Sequence, residues 1–346
     1  MTSAATDSHQ TSPQSAVQTT VGDAVAAEAR AGLLSNPRTL SPWLFYDDRG
    51  SDLFEQITAL PEYYLTRTER SIFAEHAHEI LDIAAAGHTL TLLELGAGTA
   101  AKTGILLSAA VERQGSVLYQ PVDVSPSALD EATANLQANI PGVTVQPQVA
   151  NYTAEPLTLS RPHGVRVLAL YIGSSIGNFS PTEATDLLRN LRAQLRPGDS
   201  LLLGTDLAPG PEGEGNKSVE TLLAAYDDAA GVTAEFNRNI LTRLNRDLAA
   251  DFNPACFAHR ALWNPDHSRM EMHLESLTNQ HVHIPANSAG PALTLQLQAG
   301  ETIHTENSYK FSAAAIADLL TSASFQIIRT WQDSQALFAV TLATAC

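Results

Sequence analysis

The side chains able to bind or react cluster in a few short stretches of the sequence. Leu92, Leu93 and Leu95, with Glu94 among them, form an apolar run that stops at Gly96-Ala97-Gly98, with Lys102 shortly after. A strand ending in Gly-x-Gly brings backbone N–H groups and a helix N-terminus close to a ligand, because no Cβ stands in the way. The next apolar run ends in Asp123, which puts a carboxylate where a ribose diol would lie. After a third run, IGSSIGNF (172–179) places Gly173, Ser174 and Asn178 at a strand end, where open α/β sheets bind their ligands. A helix N-cap is the alternative role for Asn178. Glu306 and Ser308, in HTENSYKF (304–311), share one face of an extended segment. A carboxylate beside a hydroxyl suits a cationic or N–H-donating ring, although an ordinary polar strand face has the same pattern. Tyr226, in AYDDAAGVTAEFNRN (225–239), sits on a helix, where a lone Tyr is more often core than ligand. His281 and His283 share a strand face, but with no third ligand nearby they are expected to face solvent rather than a metal ion.

Three nucleoside cofactors compete for the glycine turn. A dinucleotide fingerprint wants a third glycine where Ala101 stands. A P-loop fits Gly96 to Thr103 at every fixed position except the same Ala101, whose Cβ hinders wrapping around a phosphate. S-adenosylmethionine carries no phosphate and needs only a close backbone approach and a ribose acceptor. It is the reading that tolerates the missing glycine.

The elements that must position these residues follow from hydrophobic patterning. Thr91–Leu95, Val117–Asp123, Val143–Ala150, Val165–Tyr171 and Ser200–Thr205 read as strands, with helices near Lys102–Glu112, Ser127–Ala138 and Pro181–Leu195 between them. Strongly apolar strands alternating with helices indicate a parallel sheet covered on both faces. A helix over Val21–Leu34 and another over Arg67–Ala86 precede it, flanking an aromatic, loop-like segment (41–69) that suggests a cap. After Leu207 the alternation breaks into a Pro/Gly-rich linker, one long helical stretch and antiparallel-looking strands, the pattern of an inserted subdomain. Helix Ser312–Ser322 and strands Phe325–Trp331 and Ala336–Ala343 return to the core, resembling the closing strand pair of a class I methyltransferase sheet, whose final strand runs antiparallel.

Composition narrows the partners. A net charge of −17 argues against nonspecific binding to nucleic acid or to an anionic membrane. Cys256 and Cys346 are the only cysteines, so no disulfide framework and no cysteine-built metal site is expected. Neither a run of about 18 apolar residues nor a cationic-then-apolar leader pattern occurs, and a cytoplasmic protein is expected. No coiled coil or apolar stripe advertises an interface, so the expectation is a monomer.

From Glu28 onward the chain resembles the S-adenosylmethionine-dependent L-histidine Nα-methyltransferases of ergothioneine biosynthesis. The resemblance rests on FYDDRGSDLFEQIT (45–58), LPEYY (60–64), TRTE (66–69), ELGAGTAAKT (94–103), IGSSIGNF, GDSLLLGTDL (198–207), AYDDAAGVTAEFNRN and the run 305–311. It implies an α/β class I methyltransferase (Rossmann-like) sheet with a second, substrate-binding subdomain. Residues 1–20, Ser/Thr/Gln-rich with few large apolar side chains, are expected to form a disordered tail; the expected divisions after it are an N-terminal part of the substrate subdomain (21–80), the methyltransferase core (81–208), the inserted part (209–306) and the closing core elements (307–346). The resemblance also implies transfer of three methyl groups from S-adenosylmethionine to the α-amine of L-histidine, giving hercynine, with no metal and no dedicated catalytic base. Gly96, Gly98, Lys102 and Asp123 would contact the cofactor, and Asn151 and Tyr152 would flank its adenine, a pair that departs from the family's usual acidic residue and Phe. Asn178 and Tyr226 would hold the substrate carboxylate, with Gly173 beside them. Tyr46 would lie near the amine, Tyr63 on the imidazole side, and Glu306 and Ser308 on the ring. Phe54 and Met272 would supply apolar walls. Leu65 stands where the family often has Pro. Alternative readings are a tryptophan-type N-methyltransferase, a P-loop-like nucleotide-binding protein, or an interaction protein whose aromatic segment docks a partner.

Overall fold

The computed structural model describes residues 21–100, 102–153, 157–210 and 217–346. The N-terminal tail 1–20, Ala101 and most of the Pro/Gly linker lie outside the described residues. In chain order, α1 (Val21–Leu34) and the short β1 (Arg38–Thr39) lead through a 3-10 turn at Pro42–Phe45 to α2 (Asp48–Thr58) and α3 (Tyr64–Ala85). Then come β2 (Thr89–Leu95), α4 (Thr103–Gln114), β3 (Val117–Asp123), α5 (Pro126–Asn139), β4 (Val143–Val145), β5 (Gln148–Val149), β6 (Val165–Tyr171), α6 (Pro181–Gln194) and β7 (Ser200–Asp206). They are followed by α7 (Val219–Tyr226), α8 (Val232–Leu248), β8 (Phe257–Asn264), β9 (Arg269–Ser276), β10 (Gln280–Ile284), β11 (Leu293–Leu297) and β12 (Thr302–Tyr309). The chain ends with α9 (Ala313–Ser322), β13 (Phe325–Gln332) and β14 (Phe338–Ala345).

The large sheet has the order β13-β14-β7-β6-β2-β3-β4, with β5 also paired to β3. Strands β2 to β7 run parallel, whereas β14 is antiparallel to both β7 and β13. This is the class I methyltransferase arrangement. The central strands read as continuous apolar runs because both sheet faces are covered. Leu92, Leu168 and Leu170 point into one core with α3 and α4, and Leu93, Val167 and Ala169 point into the other with α6 and α9.

A second sheet, β1-β12-β9-β8, lies beside the first, with α8 packed on β8 and β9. Two joints fix it there. Phe311 N–H donates to the Asp206 carbonyl at 2.9 Å and Ala208 N–H to the Phe311 carbonyl at 2.9 Å, which ties the exit of β12 to the end of β7. The 3-10 turn after β6 packs directly on β12, which requires a glycine at 177.

Several elements differ from the sequence expectation. The aromatic segment is not loop-like. Asp47 caps α2 by accepting from Gly50 N–H at 2.8 Å, and the buried Gly50, Leu53 and Ile57 form a helical stripe on α2. The helix after the glycine turn starts at Thr103, with Lys102 as its cap residue rather than on its first turns. The expected strand 143–150 is two short pieces, β4 and β5. The long helix of the insertion is two, α7 and α8, because Gly231 adopts a left-handed conformation (φ +77°) between them. The expected divisions at 80/81 and 306/307 fall inside α3 and β12, both of which run through without a break.

Candidate active site

At the end of β2 the backbone turns left-handed at Gly96 (φ +67°) and Gly98 (φ +51°). Gly98 N–H donates to Asp123 Oδ2 at 2.9 Å and Ser125 N–H to Asp123 Oδ1 at 2.9 Å, so Asp123 braces the turn from the neighbouring strand. A Cβ at position 96 would stand 3.2 Å from the Tyr152 hydroxyl, which places Tyr152 over the turn. Asn151 is exposed, and its Oδ1 accepts from Thr153 N–H at 3.1 Å. Beneath the turn Glu94 accepts from Thr103 Oγ1 at 2.7 Å and from the Tyr119 hydroxyl, linking β2, β3 and the start of α4. Burial raises the Glu94 carboxyl to about 7, against those two hydrogen bonds.

Glu69 joins this turn to the rest of the site. Fully buried on α3, it accepts from Lys102 Nζ at 2.5 Å and from Gly173 N–H at 2.9 Å. Gly204 on β7 leaves it room, since a Cβ there would stand 2.1 Å from Glu69 Oε1. Nothing in the sequence reading gave Glu69 a role, although it closes the TRTE stretch.

Beyond Gly173 lies a small cavity of about 60 Å³. All nine residues expected on the substrate side line it: Tyr46, Phe54 and Tyr63 from the N-terminal segment, Gly173 and Asn178 from the turn after β6, Tyr226 from α7, Met272 from β9, and Glu306 and Ser308 from β12. Phe236, which sequence reasoning did not single out, completes an aromatic wall. Its ring centroid is 5.9 Å from Tyr46 and 6.1 Å from Phe54, and Phe54 is 6.3 Å from Tyr63. Burial pushes the Tyr46, Tyr63 and Tyr226 hydroxyls well above their usual range, so all three are neutral hydroxyls at physiological pH.

A bulge aims the β12 side chains. His304 pairs with His273 and Glu306 with Met272, so Thr305 is an extra residue. Before it Ile303 faces inward; after it Glu306 and Ser308 do. Thr305 Oγ1 is itself anchored, donating to Asn237 Oδ1 at 2.8 Å. The Glu306 carboxylate has no hydrogen-bond partner among the described residues, and burial, only partly offset by Lys310, raises it to about 7. The Asn178 amide likewise makes no hydrogen bond to the described residues.

The far end of the cavity rests on an ion cluster absent from the sequence reading. Asp206, at the end of β7, accepts from the Tyr64 hydroxyl at 2.8 Å, from Lys310 Nζ at 2.8 Å and from Lys217 Nζ. Burial pushes the Asp206 carboxyl up, but the two ammonium groups outweigh it and hold it below its usual value. Burial pulls Lys217 down to about 8 against the attraction of Asp206. Lys310 also donates to Tyr226 and Ser308, each at 2.8 Å.

His281 and His283 are both exposed on β10. Among the described residues, metal-ligating side chains come close elsewhere: Glu271, His273 and His304 hold ligand atoms within 4.8 Å of one another, with the Arg269 guanidinium 2.6 Å from the Glu271 carboxylate.

The sheet order, the glycine turn braced by Asp123 and the adjoining cavity are those of a class I S-adenosylmethionine-dependent methyltransferase. The chain belongs to the family described as histidine-specific methyltransferase, SAM-dependent, whose model matches residues 25–345. It is 42% identical over 321 residues to the histidine N-alpha-methyltransferase of Mycolicibacterium smegmatis, covering 93% of this chain and 95% of that protein. It is 40% identical over 320 residues to the Mycobacterium tuberculosis protein of the same name, covering 92% and 94%. Ergothioneine biosynthesis protein 1 of Neurospora crassa is 32% identical over 211 residues, 60% of this chain and 23% of that protein.

Proposed function

We propose that the protein transfers three methyl groups from S-adenosylmethionine to the α-amino group of L-histidine, giving hercynine. The observation that carries this reading is the Glu306 carboxylate, unpaired among the described residues, beside the Ser308 hydroxyl in a cavity with an aromatic wall. That pair matches an imidazole, which offers one N–H and one bare nitrogen. An indole has the N–H alone, so the tryptophan alternative offers no ring acceptor for the Ser308 hydroxyl proton.

The glycine turn fits the proposed donor, because left-handed glycines, the Asp123 carboxylate and the Tyr152 ring offer backbone, ribose and base contacts without a phosphate cradle. Lys102 lies between this turn and Gly173, at the seam of the two sites. When bound, S-adenosylmethionine supplies a methyl group already activated as a sulfonium. The protein's task is then alignment, which contributes up to about 7–11 kcal/mol in the best intramolecular models. Asn178 and Tyr226 hold the substrate carboxylate, Glu306 and Ser308 hold the ring, and the α-amine is left toward Gly173 and Tyr46. A partly desolvated amine favours its neutral, nucleophilic form, so no strong base is needed. The aromatic wall of Tyr46, Phe54, Tyr63 and Phe236 supports the accumulation of methyl groups, since aromatic faces attract quaternary ammonium ions.

In the same reading the N-terminal segment and the insertion form the substrate-binding lobe, and the enzyme is a cytoplasmic monomer without a metal or a nucleic-acid or membrane partner. The net charge of −17 supports the lack of a nucleic-acid or anionic-membrane partner, and no helix among the described residues is long and apolar enough to cross a membrane. Incubation with the common amino acids and S-adenosylmethionine, read by mass spectrometry, should yield trimethylated histidine. A mixture in which histidine stays unmodified would overturn the reading.

A further inference from the structure

Lys310 is buried just beyond the cavity wall, 3% exposed. An ammonium has three N–H donors, and three acceptors surround this one: Asp206 Oδ2, the Tyr226 hydroxyl and Ser308 Oγ, each at 2.8 Å. The Tyr226 and Ser308 oxygens are also 2.8 Å from each other, with Tyr226 donating.

Two hydroxyls in contact on their own must spend one proton on each other, which leaves the pair a single donor for a ligand. A cation touching both oxygens removes that requirement. Each oxygen then accepts from the ammonium, and both protons can turn toward the cavity together. We infer that Lys310 is a positioning residue for substrate recognition: by bridging Tyr226 and Ser308 it lets both hydroxyls donate to the bound amino acid at once. Tyr226 gives its proton to the carboxylate and Ser308 to the bare ring nitrogen, while Glu306 accepts from the ring N–H. The inference rests on the histidine reading above and adds to it the source of the second donor.

The charges agree. Asp206 neutralises one of two buried ammonium groups, Lys217 and Lys310, and the remaining positive charge faces the Glu306 carboxylate and the place of the incoming carboxylate. The arrangement also makes Lys310 matter more for histidine than for an aromatic amino acid whose ring has no bare nitrogen.

The test is calorimetric titration of L-histidine into enzyme saturated with S-adenosylhomocysteine, paired with steady-state kinetics, for wild type, Lys310→Met, Ser308→Ala and the double variant. Lys310→Met should weaken histidine binding and raise its KM at least about 10-fold, with kcat changed less and S-adenosylhomocysteine binding retained. Because Lys310 acts through the hydroxyl pair, adding Ser308→Ala to Lys310→Met should cost less than about threefold more. Lys310→Gln, which keeps N–H donors without the charge, should recover part of the loss. Unchanged histidine affinity in Lys310→Met, or losses that simply multiply with Ser308→Ala, would overturn the inference. So would loss of S-adenosylhomocysteine binding by both Lys310 variants, which would mark a folding role. A wild type that does not bind histidine refutes the proposed function instead, which keeps the two failures apart.

Discussion

Gly177 and Tyr309 meet backbone to backbone: a Cβ at position 177 would stand 2.7 Å from the Tyr309 carbonyl oxygen. This contact seats the turn carrying Asn178 against the strand carrying Glu306 and Ser308, and so determines the width of the cavity between them. Gly177→Ala should push β12 outward. The expected result is a loss of about 1–3 kcal/mol in stability, as for other overpacked sites, with a larger rise in KM for histidine than for S-adenosylmethionine. Thermal melts and two-substrate kinetics check both parts.

Glu306 should impose a pH dependence. Its carboxyl titrates near 7 in the fold against an ordinary 4.5, so the folded state holds the proton more tightly than the unfolded chain does. Stability of the protein alone should therefore fall as pH rises from about 4.5 to about 7 and level off above, by at most about 3 kcal/mol from this group. Glu306→Gln should remove that share of the decline and leave a more stable protein at pH 8. Chemical denaturation across this range measures it.

The same ionisation should govern recognition. kcat/KM for histidine should rise as pH passes through about 7, and the Glu306 contribution to that rise should vanish in Glu306→Gln. Glu306→Ala should lower kcat/KM at least about 10-fold, the loss of one charge-assisted hydrogen bond worth about 1.5–3 kcal/mol. An unaltered kcat/KM would remove Glu306 from the ring contact.

Glu69 links the two halves of the site, so its substitution should be felt in both. Glu69→Gln leaves Lys102 without its anion while keeping an oxygen for Gly173 N–H. S-adenosylhomocysteine affinity should fall about 10-fold or more, since breaking an ion pair with one buried member costs more than a neutral hydrogen bond. Calorimetry at low and high salt checks it; an exposed, screened pair would lose its effect at high salt, and this one should not.

Asp123→Ala should act on the donor side alone. It removes the acceptor for Gly98 and Ser125 N–H as well as the proposed ribose contact. The expected signature is weakened S-adenosylhomocysteine binding with histidine affinity changed by less than about threefold once the donor site is saturated.

Local pattern by itself determined the sheet and its ligand-binding edge. Val117–Asp123 and Val165–Tyr171 are strands over the very residues that apolar run length marks out, because a parallel strand buried on both faces has a signature contained in seven residues. The shared face of Glu306 and Ser308 is likewise a local fact, the two-residue period of a strand. Tertiary structure decided which way that face points, through the bulge at Thr305, whose cause lies in its partners Asn237 and Met272. It alone brought Glu69 to Gly173 across 104 positions, and gathered Tyr64, Asp206, Lys217 and Lys310 into one buried cluster. Charges of this kind look like surface residues in a sequence. Their burial is tolerable only when partners from distant segments arrive together, and no short window of sequence contains that information.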